Sequence, residues 1–169
     1  MARGARFYMK SVINALYRLM YRFADGMAIF MLGVMVFSVF TNVIFRFFYM
    51  AFPWVDEVSR FAFVWMSFMA IVSGLRIGLH PAFDVLVTNT HGVAGKILRT
   101  AISVCIVVFL GFLLKGGIDY ISRIYVQKTS ILVISVAWQY SAVPIATVMM
   151  LLEMVRQIMR IWTSKVEEA

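Results

Sequence analysis

The polar chemistry of this chain concentrates in five residues. Asn42 and Arg46 stand at the end of one long apolar run, and Asp56, Glu57 and Arg60 at the start of the next. Their formal charges cancel, and Asp56 precedes Arg60 by one helical turn, the order that the helix dipole favours. A turn over 48–53, with Pro53, is short enough to return Arg46 towards the two acids. Three chemistries fit: an ion-paired staple that fixes the first two helices, a contact with another membrane subunit, or conduction of ions or protons. Conduction fits least, because one self-neutralising cluster at one membrane face is not a relay. A second group lies further along: Lys115, Arg123 and Lys128 against Asp119, with Arg123 and Lys128 furthest out and placed to help dock a soluble partner.

Catalytic and cofactor motifs are missing from the sequence. It has no Walker-A loop, no dinucleotide fingerprint, and no His-x₃-His or CxxC metal pattern. Haem would want histidines on facing spans, whereas His80 and His91 share one connection. Cys105 is the single cysteine, so an internal disulfide is ruled out. The expectation is a protein that is not an enzyme and carries no catalytic residue, cofactor or metal.

The elements that must position these residues are membrane helices. Of 169 residues, 63% are hydrophobic and 14% charged, with a mean hydropathy of +0.89; soluble domains run at about 45–50% apolar and about 25% charged. The net charge of +8 and pI near 10.0 do not point to nucleic acid, because the basic residues flank apolar runs instead of lining one polar face.

Charge-free stretches at 26–45, 61–75, 100–114 and 129–152 predict an all-α integral membrane protein of four spans, extended to about 24–47, 54–77, 96–118 and 134–157. With both termini inside, the cytoplasmic segments hold eleven basic residues: Arg3, Arg6, Lys10, Arg18 and Arg22, then Arg76, Lys96 and Arg99, then Arg156, Arg160 and Lys165. The outer side holds five, Arg46, Arg60, Lys115, Arg123 and Lys128. That asymmetry sets both ends in the cytoplasm. Tyr49, Trp54, Tyr120, Tyr125 and Trp138 mark the outer interface, and Tyr17, Tyr21 and Trp162 the inner one. The run at 26–45 is too long for a signal-peptide core and lacks a small-x-small cleavage site, so it reads as a retained span.

The whole chain, 1–169, reads as a single four-helix membrane domain. Within it, 7–23 form an interfacial amphipathic helix resting on membrane lipid, its Lys10, Asn14, Arg18 and Arg22 four apart, so that 1–23 lie along the membrane. Glu153, Arg156, Gln157 and Arg160 repeat the pattern before a cytoplasmic tail, 158–169. Asp119, Arg123 and Gln127 extend the third span outwards as a half-polar helix, and 78–95 form a loop around a short helix that starts near Pro81. Pro144 predicts a kink in span four. Small residues at packing spacing, Ala70/Gly74, Ala137/Ser141 and Ala142/Ala146, predict close helix contacts, with a partner helix in this chain or another.

These features resemble the small membrane subunit of tripartite ATP-independent periplasmic (TRAP) transporters, the DctQ-like family. The resemblance covers roughly 40–158. It rests on Arg46, on Pro53-Trp54-Val55-Asp56-Glu57-Val58-Ser59-Arg60, on Trp65, on Gly74-Leu75-Arg76-Ile77-Gly78-Leu79-His80 and Asp84, and on Lys128-Thr129-Ser130 and Ala142-Val143-Pro144. Pro81-Ala82-Phe83 depart from the β-branched and basic run more usual there. The resemblance implies a bacterial inner-membrane heterodimer with a large multi-span subunit that carries the sodium and substrate sites. It also implies a periplasmic substrate-binding protein that delivers an organic acid. The small subunit would brace the large one and help dock the binding protein. A competing function, an autonomous small exporter or channel acting as a homo-oligomer, would want a polar stripe through a span, which spans three and four lack. Nothing in the chain looks like a carboxylate pocket that would name the acid.

Overall fold

A computed structural model of the chain describes residues 2–50, 52–76 and 93–163, with side chains described for 14–50, 52–76, 95 and 97–159. Among the described residues the chain is helical: α1 (Ala2–Phe47), α2 (Pro53–Arg76), α3 (Val93–Ile124), the short α4 (Val136–Tyr140) and α5 (Ala142–Thr163). Four segments are long and apolar enough to span a bilayer: Asn14–Phe47, Pro53–Arg76, Ile97–Ile124 and Val136–Met159. The protein is therefore a multi-pass membrane protein, and the four expected spans are borne out. The chain divides after Ser73 into two compact units.

In the first unit, α1 is one helix of 46 residues. At 1.5 Å per residue it runs about 69 Å, against about 30 Å of hydrocarbon. The expected interfacial helix is thus not a separate element, since 7–23 continue unbroken into the span. No proline stands between Ala2 and Phe47 to end the helix. Tyr21 and Ala24, at the junction, are buried.

A Schellman motif ends α1. Met50 N–H donates to the Phe45 carbonyl at 3.0 Å and Tyr49 N–H to the Arg46 carbonyl at 3.1 Å. Tyr49 takes the left-handed position, φ 55°, that glycine usually fills. Phe45 packs edge-on against Phe52 at 4.8 Å, and Pro53 opens α2 from the first helical position, where its missing N–H costs nothing.

In the second unit, α3 packs along α5. Ser103, Leu110, Gly117 and Ile124 fall at every seventh residue of α3, the seam spacing of shallow-angle helix packing. Ser103, Leu110 and Ile124 are buried, and a Cβ placed on Gly117 would lie 3.3 Å from Val143 Cγ1 and 3.7 Å from Pro144 Cδ. The opposing seam of α5 is Ala142, Ala146, Met149, Met150, Glu153 and Met154, all buried.

Two expectations for this unit need correction. First, α3 stops at Ile124, short of Gln127, because residues 127–136 turn back on themselves. Lys128 and Ser135 form an antiparallel bridge, Thr129 N–H bonds the Ile134 carbonyl at 2.8 Å, and Val136 N–H bonds the Gln127 carbonyl at 2.9 Å. Second, the fourth span is two helices with a break at Ser141. Pro144 supplies no N–H for the Tyr140 carbonyl, and its ring crowds that carbonyl, so the expected kink becomes an interruption one turn upstream. In addition, α5 runs on to Thr163, so residues 158–163 of the expected tail are helical. The expected short helix near Pro81, with His80, Asp84 and His91, and the last six residues, 164–169, lie outside the described residues.

Candidate functional site

Of the five residues singled out at the outer end of the first two spans, the structure joins two directly. Asn42 Nδ2 donates to Asp56 Oδ1 at 2.7 Å. Asn42, rather than Arg46, is thus the α1 residue that holds the α2 carboxylate. The Schellman turn sets this register, bringing the last turns of α1 alongside the first turns of α2. Arg46 is exposed, Glu57 is half-buried, and Arg60 is exposed. Glu57 and Arg60 are both engaged by neighbours.

A second link between α1 and α2 went unseen in the sequence. Ser73 Oγ donates to Asp25 Oδ1 at 2.5 Å. Asp25 reads in the sequence only as the boundary of a charge-free stretch. The better signal is that an acid abutting a span, in a chain with only eight, calls for a donor on a neighbouring helix. With Asn42–Asp56, this bond ties the antiparallel α1 and α2 at two levels.

The second unit has its own inner cluster. Glu153 is 3% exposed and so buried, not on the polar side of an interfacial helix as its spacing suggested. Arg156 Nη1 lies 3.8 Å from Glu153 Oε2, and Gln157 Nε2 lies 3.4 Å from Glu153 Oε1. Gln157 also donates to the Leu75 carbonyl at 3.1 Å. Leu75 is in the last turn of α2, where carbonyls lack intrahelical donors, so Gln157 caps that helix end. These polar groups do structural work: each satisfies a backbone or carboxylate acceptor that lipid could not.

At the outer end of this unit, Arg123 closes α3 and Lys128 opens the bridged turn, and both are exposed. The turn is pinned by Ser135, whose Oγ donates to the Tyr125 carbonyl at 2.9 Å while accepting from Ala137 N–H at 3.3 Å. Its apolar side chains Tyr125, Val126, Ile131, Val133 and Ile134 are exposed. Val133 holds φ 55°, a strained conformation for a β-branched residue.

Nothing in these sites assembles a nucleophile with a base; the polar groups hold helix ends. Comparison with known proteins agrees. The chain matches a Haemophilus influenzae protein provisionally named a TRAP transporter small permease protein, with 26% identity over 127 residues, which is 73% of this chain and 76% of the other. The family described as the DctQ component of tripartite ATP-independent periplasmic transporters matches residues 35–164, from mid-α1 through the end of α5. The chain belongs to that family and is a membrane subunit of a TRAP-type transporter, not an enzyme.

Proposed function

We propose that this chain is the accessory subunit of a sodium-coupled TRAP transporter for organic acids. It braces a large multi-span subunit that carries the sodium and substrate sites, and it helps dock a periplasmic substrate-binding protein. Both termini lie in the cytoplasm and the complex sits in the bacterial inner membrane. The observation that carries the bracing role is where the charges sit. Asp56, Glu57 and Arg60 gather at one end of the spans, and Asp25, Glu153 and Arg156 at the other. Between them 26–45, 61–75, 100–114 and 129–152 hold no charged residue, and a helix set without a charged path through its depth suits a scaffold better than a conduit. Membrane lipid anchors the inner end: exposed Arg18 and Arg22 border a groove of about 350 Å³ with Ala15 and Leu19, a spacing suited to lipid phosphates.

Reconstitution in liposomes tests the role. With its large partner and binding protein, the chain supports sodium-driven uptake of an organic acid. Uptake by this chain alone would overturn the accessory role in favour of an autonomous exporter.

A further inference from the structure

α1 changes character at Asp25. Beyond it, 26–45 hold no charged residue; before it, residues 1–24 hold Arg3, Arg6, Lys10, Arg18 and Arg22 and no acid. Asp25 is itself engaged by α2, its Oδ1 accepting from Ser73 Oγ at 2.5 Å. Arg18 has no acid within one helical turn on either side, and its neighbour at that spacing is Arg22. Like charges one turn apart weaken a helix unless an anion from outside sits between them.

The two arginines stand away from the packed side of the helix. Tyr21 and Ala24 are buried, whereas Ala15, Arg18, Leu19 and Arg22 are exposed and line a groove of about 350 Å³. The short side chain of Ala15 leaves that space open. Along a regular helix Arg22 lies about 4.5 Å and Arg18 about 10.5 Å inward of Asp25. The polar layer of a bilayer leaflet is about 5–8 Å thick, so Arg22 falls within it and Arg18 at its cytoplasmic edge when Asp25 marks the limit of the hydrocarbon. From the groove an exposed row at helical spacing, Leu19, Phe23, Gly26 and Phe30, leads into the span, and a Cβ placed on Gly26 would meet nothing within 4 Å. A free phosphate would use the arginines and leave Leu19 and Phe23 in water. An amphiphile uses both.

We propose that the Ala15–Arg18–Leu19–Arg22 groove is a site for one acidic phospholipid of the inner leaflet. Arg18 and Arg22 share its phosphate, which planar guanidinium forks match well, and an acyl chain runs along Leu19, Phe23, Gly26 and Phe30. The inference rests on the reading that lipid anchors the inner end. It adds a single bound molecule selected by charge and shape, where that reading needs only a general attraction.

The test uses the full chain in nanodiscs of phosphatidylglycerol mixed with phosphatidylcholine of matched acyl chains, with native mass spectrometry counting the lipid retained on the released chain. The expected result is one phosphatidylglycerol held in preference to phosphatidylcholine. Arg18→Gln with Arg22→Gln lowers its affinity about tenfold or more. Ala15→Leu, which keeps every charge and a good helix former but fills the groove, lowers it as well. Arg123→Gln with Lys128→Gln removes the same charge elsewhere and leaves it unchanged. All five side chains are exposed, so each variant keeps the helicity of the chain, which circular dichroism checks. No preference for phosphatidylglycerol, equal losses in the two charge variants, or displacement of the lipid by inorganic phosphate would overturn the proposal. Loss in the Arg18 and Arg22 variant with none in Ala15→Leu overturns the site but keeps the general anchoring. If neither variant alters lipid retention, the anchoring reading fails with it.

Discussion

Asn42 illustrates how a membrane protein spends its few polar side chains. An amide on α1 reaches a carboxylate on α2 at 2.7 Å, and the bond matters because it fixes the end of one span to the start of the next. Such bonds average only about 0.6 kcal/mol in membrane double-mutant cycles, with a ceiling near about 1.7 kcal/mol. Asn42→Leu is predicted to destabilise the chain within that range. In a cycle with Asp56→Ala, chemical unfolding in micelles should give a coupling energy in the same range; additive effects would remove the bond from the account. Strain is the second residue-scale lever. A left-handed conformation costs a side-chain-bearing residue about 1–2 kcal/mol, so Val133→Gly should raise the stability of the chain, offset by up to about 1 kcal/mol of lost backbone restriction. A lowered melting temperature would instead show that the Val133 side chain is needed in the outer turn. The polar residues were legible in the sequence, their partners less so: Arg46 was the natural ion-pair choice for Asp56, but the register of the Schellman turn gives that place to Asn42.

Elements meet where side chains are smallest. Gly117 faces Val143 and Pro144 at the outer half of the α3–α5 seam, whereas nothing lies within 4 Å of a Cβ on Gly111 or Gly116. Gly117→Leu should therefore force the two helices apart and destabilise by about 1–3 kcal/mol, while Gly111→Leu is close to neutral. Unfolding both variants in the same detergent decides it, and equal losses would mean that propensity, not packing, governs α3. The four spans were legible because hydropathy reports lipid solubility directly. Their ends were not. The break at Ser141 depends on the carbonyl one turn before Pro144, and the stop at Ile124 depends on the bonds of the turn that follows, long-range details that charge spacing along Asp119, Arg123 and Gln127 does not encode. Glu153 is the sharpest case: its spacing with Arg156 suits a wet helix face, yet it is 3% exposed because α5 supplies the buried seam of its unit.

At the scale of the whole molecule, orientation and docking follow from charge. Eleven basic residues on one side against five on the other predict that reporter fusions at Gly92 and Ala169 read cytoplasmic and a fusion at Gln127 reads periplasmic. An outside signal at Ala169 would contradict an even number of spans. The outer end of the second unit then faces the compartment where a soluble binding protein moves, and it presents Arg123 and Lys128, both exposed, beside the exposed apolar side chains of a pinned turn. An exposed ion pair contributes only about 0.2–1 kcal/mol and fades as salt shortens the screening length to about 10 Å at 0.1 M. One substitution is therefore too small a perturbation to read. Reversing both charges, Arg123→Glu with Lys128→Glu, should weaken binding of the binding protein to the assembled membrane complex several-fold at low salt, with the difference collapsing at high salt, where the apolar turn carries what affinity remains. Affinity of the reversed variant unchanged at low ionic strength, in a complex shown to be intact, would assign docking to the large subunit alone.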